Sequence, residues 1–221
     1  MARGDTSLAS AQARSGWNYD EGPLETADGH VLTLTFEHTL DWMWGDSYLF
    51  VDALSGQFVA GTEYSLYFEW QPRFSLSKIS GASFAWGPLG DLLVAGSFNR
   101  GPGYDALLAG LGTNFAIELP MFWLLNVYLR DDNFNAPTYQ LTTAWTIPYT
   151  LGADWVLNGF ADVYGTDMRG LNVLTEPQLL LDTTRWLGLK AGRLQIGGDV
   201  LLHLERDFTV VVPQTVVKWL Y

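Results

Sequence analysis

The side chains able to do chemistry in this chain are mostly carboxylates, and they recur at alternate positions of otherwise apolar segments. Glu37, Asp41, Asp52, Glu63, Glu69, Asp91, Asp162, Glu176, Asp182, Asp199 and Glu205 share the polar face that this alternation defines. The cations expected on that face are Arg73, Arg130, Lys218 and His203. Amides and rings accompany them, namely Asn114, Asn126 and Asn158 with Tyr48, Phe50, Tyr67, Tyr128, Phe160 and Tyr164. Such a set either lines a water-filled passage that favours cations or polar solutes, or fills a closed interior with salt bridges and hydrogen bonds. Rings beside acids and amides can stack on a base while polar groups hold a sugar. Base–aromatic stacking is worth ~1–3 kcal/mol in single-strand binders. Ordinary interior packing accounts equally well for any one of these rings.

Catalysis is poorly served by the same residues. A hydrolase needs a Ser–His pair with a third, orienting group. His203 is flanked on its own face by Leu201 and Glu205, His38 falls on an apolar face, and His30 lies at a loop edge. No serine motif accompanies any of them. With no cysteine there is no thiolate nucleophile, thiolate metal site or disulfide framework. Gly101-Pro102-Gly103 is turn chemistry, because no helix follows to complete a phosphate cradle. No enzyme activity, metal or cofactor is expected.

The elements that must position these residues are strands. Leu107 to Arg130 reads as one hairpin. Leu107, Ala109, Leu111, Thr113 and Phe115 alternate with Leu108, Gly110, Gly112 and Asn114 on the first arm. Trp123, Leu125, Val127 and Leu129 alternate with Leu124, Asn126, Tyr128 and Arg130 on the second. Glu118-Leu119-Pro120 reads as the link, since proline is excluded from a central strand. The pattern repeats at 31–42, 47–54, 62–76, 83–99, 139–148, 154–164, 173–186, 194–205 and 209–221, with a short, poorly alternating strand at 6–19. Residues 20–29 read as a loop, and bulges are expected at Pro72, Gly87-Pro88 and Gly197-Gly198. The total is about twelve antiparallel strands, each near the ~9–11 residues that cross a bilayer when tilted. No helical period competes and no composition shift divides the chain, so 1–221 reads as a single domain whose first residues, to about position 5, are poorly ordered.

Composition narrows the class. Hydrophobic residues make up 48% and charged residues 16%, the latter below the ~25% of soluble domains. Aromatics reach 14%, yet no run approaches the ~18 apolar residues of a membrane helix. A soluble β-sandwich or ligand-binding barrel shares the alternation. Three features favour an all-β transmembrane antiparallel barrel. Trp42, Trp70, Trp145, Trp155, Trp219 and Tyr221 lie on apolar faces near strand ends, as interfacial girdles do. The polar faces carry acids but few bases, and the apolar faces carry almost no charge apart from His38. A mid-bilayer Lys or Arg there would cost ~2–4 kcal/mol. The net charge of −12 argues against a nucleic acid polymer as partner. Residues 1–10 lack the features of a signal peptide. If the protein is exported, its signal is expected to have been removed.

Several stretches resemble the nucleoside-specific channel-forming family, the Tsx-like outer-membrane porins. They are EWQPRFSLSKISG (69–81), GLGTNFAIELPMFWLLNVY (110–128), GFADVYG (159–165), VPQTVVKWLY (212–221) and TFEHTLDWMWGDSYLFVD (35–52). The resemblance runs with gaps from about Thr33 to the end and implies a monomeric twelve-stranded barrel in the bacterial outer membrane, with a narrow passage for nucleosides. This chain is shorter than the type protein, with reduced loops. The expected partners are the lipid bilayer and a small polar solute such as a nucleoside. A closed barrel serving as a receptor or structural envelope protein is the alternative. Twelve strands lie between the filled eight-stranded barrels and the open ones of ~16–18, so both remain open on the residues alone.

Overall fold

In hydrocarbon, strands persist only if every backbone donor finds a neighbouring strand, so the ends of the sheet must meet. The computed structural model describes residues 6–22, 24–117, 121–166 and 170–221. The expected disorder of the first five residues and the Glu118-Leu119-Pro120 link lie outside them. The strands are β1 (Thr6–Trp17), β2 (Thr26–Trp42), β3 (Gly45–Phe58), β4 (Tyr64–Ser75), β5 (Leu93–Gly101), β6 (Tyr104–Asn114), β7 (Phe122–Asp132), β8 (Thr138–Leu151), β9 (Ala153–Thr166), β10 (Gly170–Thr175), β11 (Gln178–Asp182), β12 (Leu194–Leu204) and β13 (Thr209–Leu220). All pairings are antiparallel, and β13 pairs with β1, Val216 opposite Arg14, which closes the ring.

β10 and β11 are two halves of one stave, so the barrel has twelve staves. Both lie between β9 and β12 in a single register, with Thr175 opposite Ala161 and Gln178 opposite Asn158. Pro177, which has no N–H to give to the ladder, interrupts them. Gly159 makes room for this interruption. Its φ is +153°, and a Cβ there would sit 2.6 Å from the Glu176 carbonyl and 2.9 Å from Pro177 Cα.

The outer face is an apolar belt. Leu34, Phe36, Leu66, Leu107, Leu111, Val127, Leu129, Ile196 and Val217 are all exposed on it. In water so large a continuous patch would drive association; against acyl chains it needs no cover. No helix among the described residues is long and apolar enough to cross a membrane. The girdle is lopsided. Trp42, Trp123, Trp155, Trp219 and Tyr221 cluster at the rim where β1 begins and β13 ends, the terminal rim, with Trp70 and Trp145 nearer that rim than the other. The opposite, far rim has Trp17, Tyr64 and Tyr139. His38 does face outward, where Ser7 Oγ and its ring nitrogen share a 2.8 Å hydrogen bond.

Local expectations change in several places. β1 runs for 12 residues rather than being short, because alanines at 9, 11 and 13 supply an outer face with little bulk. β2 starts at Thr26, inside the expected loop, with a register irregularity between Thr26 and Val31. Pro72 and Gly197-Gly198 produce no bulge. Register is unchanged across both, since Pro72 sits where its missing N–H interrupts only the β4–β5 ladder. The strand expected over 83–99 begins only at Leu93. Residues 76–92 instead form α1 (Leu76–Ser80), capped by Ser75 and ended by Gly81 in the left-handed conformation, followed by a loop. Glu63 is therefore exposed in the β3–β4 connection, and Asp91 lies in the α1–β5 loop; neither is on a strand.

Asp91 organises that loop. Burial opposes its charge, but hydrogen bonds from Ser75 Oγ, Ser77 Oγ (2.6 Å) and the Leu92 (2.8 Å) and Ser77 N–H groups outweigh it and hold the carboxyl below its usual range. Lys78 fastens α1 to the β2–β3 turn through Asp41 Oδ1 (2.5 Å) and the Trp42 (3.0 Å) and Gly45 (2.9 Å) carbonyls.

Two outcomes follow. A lowered carboxyl stabilises above the unfolded value of about 3.9, and that contribution is lost as pH falls through the lowered folded value. Asp91→Asn should therefore speed protease cleavage of 81–92 at neutral pH, with the difference from wild type vanishing in acid. Gly159→Ala should destabilise the barrel by about 1–3 kcal/mol, read as a lower urea midpoint for loss of the heat-resistant folded form. Gly61→Ala, with nothing within 4 Å, should cost only its backbone strain.

Candidate functional site

Strand alternation sends half of every stave's side chains into the barrel, and two polar networks form there. The first spans the staves from β10/β11 through β12, β13, β1 and β2 to β3. Arg14 is its centre. Its guanidinium binds Glu176 through Nη1, and Thr35 Oγ1 (2.7 Å) and Asp52 Oδ1 (3.1 Å) through Nη2. Thr35 donates to Asp52 as well, and Gln214 donates to Glu176 at 3.3 Å. Gln178 donates to Asp199 (3.0 Å) and to Gln12 (3.3 Å), and Gln12 donates to Glu37 (3.2 Å). Glu37 also accepts from Ser10 (2.5 Å), Tyr48 (2.9 Å) and Lys218 (2.5 Å).

The second network spans β3 to β9. Arg73 grips Asp46 with two nitrogens, at 2.6 and 2.7 Å, and reaches Asn126 Oδ1 at 3.5 Å. Glu69 accepts from Tyr67 (2.9 Å), Gln71 and Ser97 (3.4 Å). Arg130 donates to Asp132 (2.8 Å), Gln140 (2.6 Å) and the Tyr104 hydroxyl (2.8 Å), and its guanidinium carbon lies 4.5 Å from the Tyr164 ring centroid. Thr142 donates to Asp162 at 2.6 Å. Tyr164 Oη and His203 share a 3.2 Å contact, and His203 lies 3.1 Å from Glu205.

Between these networks runs a file of rings. Tyr48 and Phe50 are 5.8 Å apart, Phe50 and Tyr67 5.7 Å, Tyr67 and Tyr104 6.4 Å, and Tyr104 and Phe134 6.1 Å. The file climbs from Tyr48, in the half of the barrel nearer the terminal rim, to the far rim, where Phe134 is exposed. Apolar groups narrow the same rim. Val31, Leu54, Phe58, Val210 and Val212 point inward and pack with Tyr19, Leu24 and Phe208 from the connecting loops.

Most polar-face residues named from sequence thus meet in the interior. Asn158 and Phe160 also face inward on β9, opposite Gln178 on β11 and Ala144 on β8. Others do something different. Asp41 is exposed at the terminal rim, tied to Lys78. The Asp182 carboxylate binds the N–H groups of Thr184 (3.0 Å) and Gly192 (2.8 Å), which holds a rim loop together. Asn114 sits at the end of β6, its carbonyl taken by the Gly90 N–H.

Sequence reading missed Arg14, Asp46, Gln12, Tyr104, Asp132 and Gln214. For Arg14 the available signal was the alternation of Ala9, Ala11 and Ala13 with Ser10, Gln12 and Arg14, which is legible once alanine counts as lipid-facing. The named groups of the first network comprise four carboxylates, Glu37, Asp52, Glu176 and Asp199, with Arg14 and Lys218; those of the second comprise five, Asp46, Glu69, Asp132, Asp162 and Glu205, with Arg73, Arg130 and the His203 imidazole.

Removing one member of a buried charged set leaves its partners uncompensated, at a cost of about 3–5 kcal/mol. Arg14→Met should show that loss in urea unfolding of the inserted barrel. Arg185→Met, which breaks an exposed pair with Asp154, should cost less than about 1 kcal/mol.

The family described as "Nucleoside-specific channel-forming protein, Tsx" matches residues 13–165. Two relatives named nucleoside-specific channel-forming protein Tsx, from Salmonella typhimurium and Salmonella typhi, are each 34% identical over 99 residues, covering 38% of this chain and 34% of theirs. The chain therefore matches about a third of the length of these curated relatives. Among solved structures, a KdgM porin superposes with a TM-score of 0.55 at 11% identity, covering 95% of this chain and 98% of the porin. The KdgM porin in complex with disordered oligogalacturonate gives 0.53 at 10% identity, covering 97% and 98%. Those likenesses carry the barrel fold alone, whereas the family match extends over residues 13–165, most of the chain: this protein belongs to the Tsx family of nucleoside-specific channel-forming proteins.

Proposed function

We propose that this chain is a passive channel of a bacterial outer membrane that passes small polar solutes, nucleosides foremost, as a monomer and without energy input. The observation that carries the reading is the file of rings from Phe134 to Tyr48, running beside carboxylates and amides. A base moves from ring to ring while its ribose exchanges hydrogen bonds with the polar wall. Weak, repeated sites of this kind let a solute enter and also leave. The acidic interior argues against a polyanion such as the oligogalacturonate held by the porin neighbour, because each network already carries excess carboxylate.

A second reading is a closed barrel that serves as a receptor or structural envelope protein. The density of the interior favours it. Arg73, Asn126, Tyr128 and Arg130 are each at most 6% exposed, and the apolar cluster occupies part of the far rim.

Planar-bilayer recording with nucleosides and sugars titrated in separates these readings. The channel reading expects a small current that nucleosides block and sugars do not. Phe50→Ala, which removes one ring from the file, should weaken that block about tenfold, as expected for ~1–3 kcal/mol of stacking. Current indifferent to nucleosides removes the solute assignment. Absence of current from inserted protein favours the closed barrel.

A further inference from the structure

Glu69 on β4 and Asp162 on β9 lie five staves apart around the ring, yet their carboxylates are close enough to repel one another. They face each other across the interior rather than along the wall. Arg130, whose guanidinium attracts both, is held by Asp132, Gln140 and Tyr104, so it offsets the pair without bridging it. Neighbouring groups also point at this spot. The Tyr128 hydroxyl feels both carboxylates, and the residue is 2% exposed. Asn126, wholly buried, lies beside it. Neither Tyr128 Oη nor Asn126 Nδ2 completes a hydrogen bond. Two facing carboxylates and two buried polar atoms with capacity to spare therefore converge in the same part of the interior. The excess of carboxylates in both networks puts the same sign of potential along the rest of the path, and low-dielectric walls focus such a field.

We propose that the passage is selective for monovalent cations over anions, and that Glu69 and Asp162 form the constriction that sets this selectivity. The inference rests on the channel reading. It adds a property that the passage of neutral nucleosides neither requires nor implies. A permeating K⁺ exchanges part of its hydration for the two carboxylates and the Tyr128 hydroxyl, while Arg130 keeps the site from binding it tightly. Binding that is favourable yet weak is the condition for conduction. A small anion meets repulsion from the pair at the point where it cannot detour.

The test is the reversal potential of the inserted protein in a planar bilayer under a KCl gradient. Wild type should reverse toward the K⁺ equilibrium potential. Glu69→Gln with Asp162→Asn, both close in shape to the originals, should lower the K⁺/Cl⁻ permeability ratio several-fold toward unity. Asp105→Asn, at the exposed far rim, should leave it unchanged. If the double variant fails to insert, Glu69→Gln alone should shift the ratio in the same direction. Wild-type reversal at zero or on the Cl⁻ side would overturn the inference while leaving the channel intact. Cation selectivity untouched by both variants would overturn the assignment to this pair. Inserted wild-type protein that carries no current in KCl would overturn the channel reading itself, and the inference with it.

Discussion

Pairing of β1 with β13 is the contact on which everything else depends. Inside a bilayer an unpaired strand edge exposes N–H and C=O groups that water cannot reach, at several kcal/mol each. Register from Ser10 opposite Leu220 to Gly16 opposite Gln214 removes both edges at once. It also fixes the sense of every side chain, because a slip of one residue would exchange the lipid-facing and interior faces of a stave. Arg14 reaches Glu176 and Asp52 only because the seam holds β1 between β13 and β2.

With closure in place, the interior becomes an electrostatic problem. The carboxylates outnumber the cations and are held apart by amides and hydroxyls that donate into them. Arg14, Arg73 and Arg130 each serve several acceptors, which suits the fixed fork of a guanidinium. The rings run from Tyr48 to Phe134 as a series of contacts, tilted between Tyr48, Phe50 and Tyr67 and stacked between Tyr67, Tyr104 and Phe134. This division lets one barrel hold a rigid charged scaffold and a softer aromatic path side by side.

Much of this was legible in the sequence because a barrel obeys a period of two. The segments from 31–42 onward carry large apolar residues on one face, and Glu37, Asp52, Glu69, Arg73, Arg130 and Asp199, on the other, point into the barrel. What escaped had physical reasons. β1 uses alanine toward lipid, so its contrast is low and Arg14 went unnoticed. Residues 76–92 alternate weakly and contain Gly87-Pro88, and a one-turn helix capped by Ser75 forms there on contacts from Asp91 and Lys78 that lie outside any local period. Distance across the ring, as between Glu69 and Asp162, is invisible to alternation because it depends on how the staves close.

The uneven girdle has a consequence for how the barrel meets membranes of different thickness. Indole and phenol rings hold their depth at the headgroup boundary. The terminal rim carries Trp42, Trp123, Trp155, Trp219 and Tyr221, while the far rim carries few such rings. Hydrophobic mismatch is therefore absorbed unequally. A thinner or thicker bilayer leaves the terminal rim at its level, and the far rim rides up or down with the opposite leaflet. The mouth at which the aromatic file begins is then the end whose height the surrounding lipid sets.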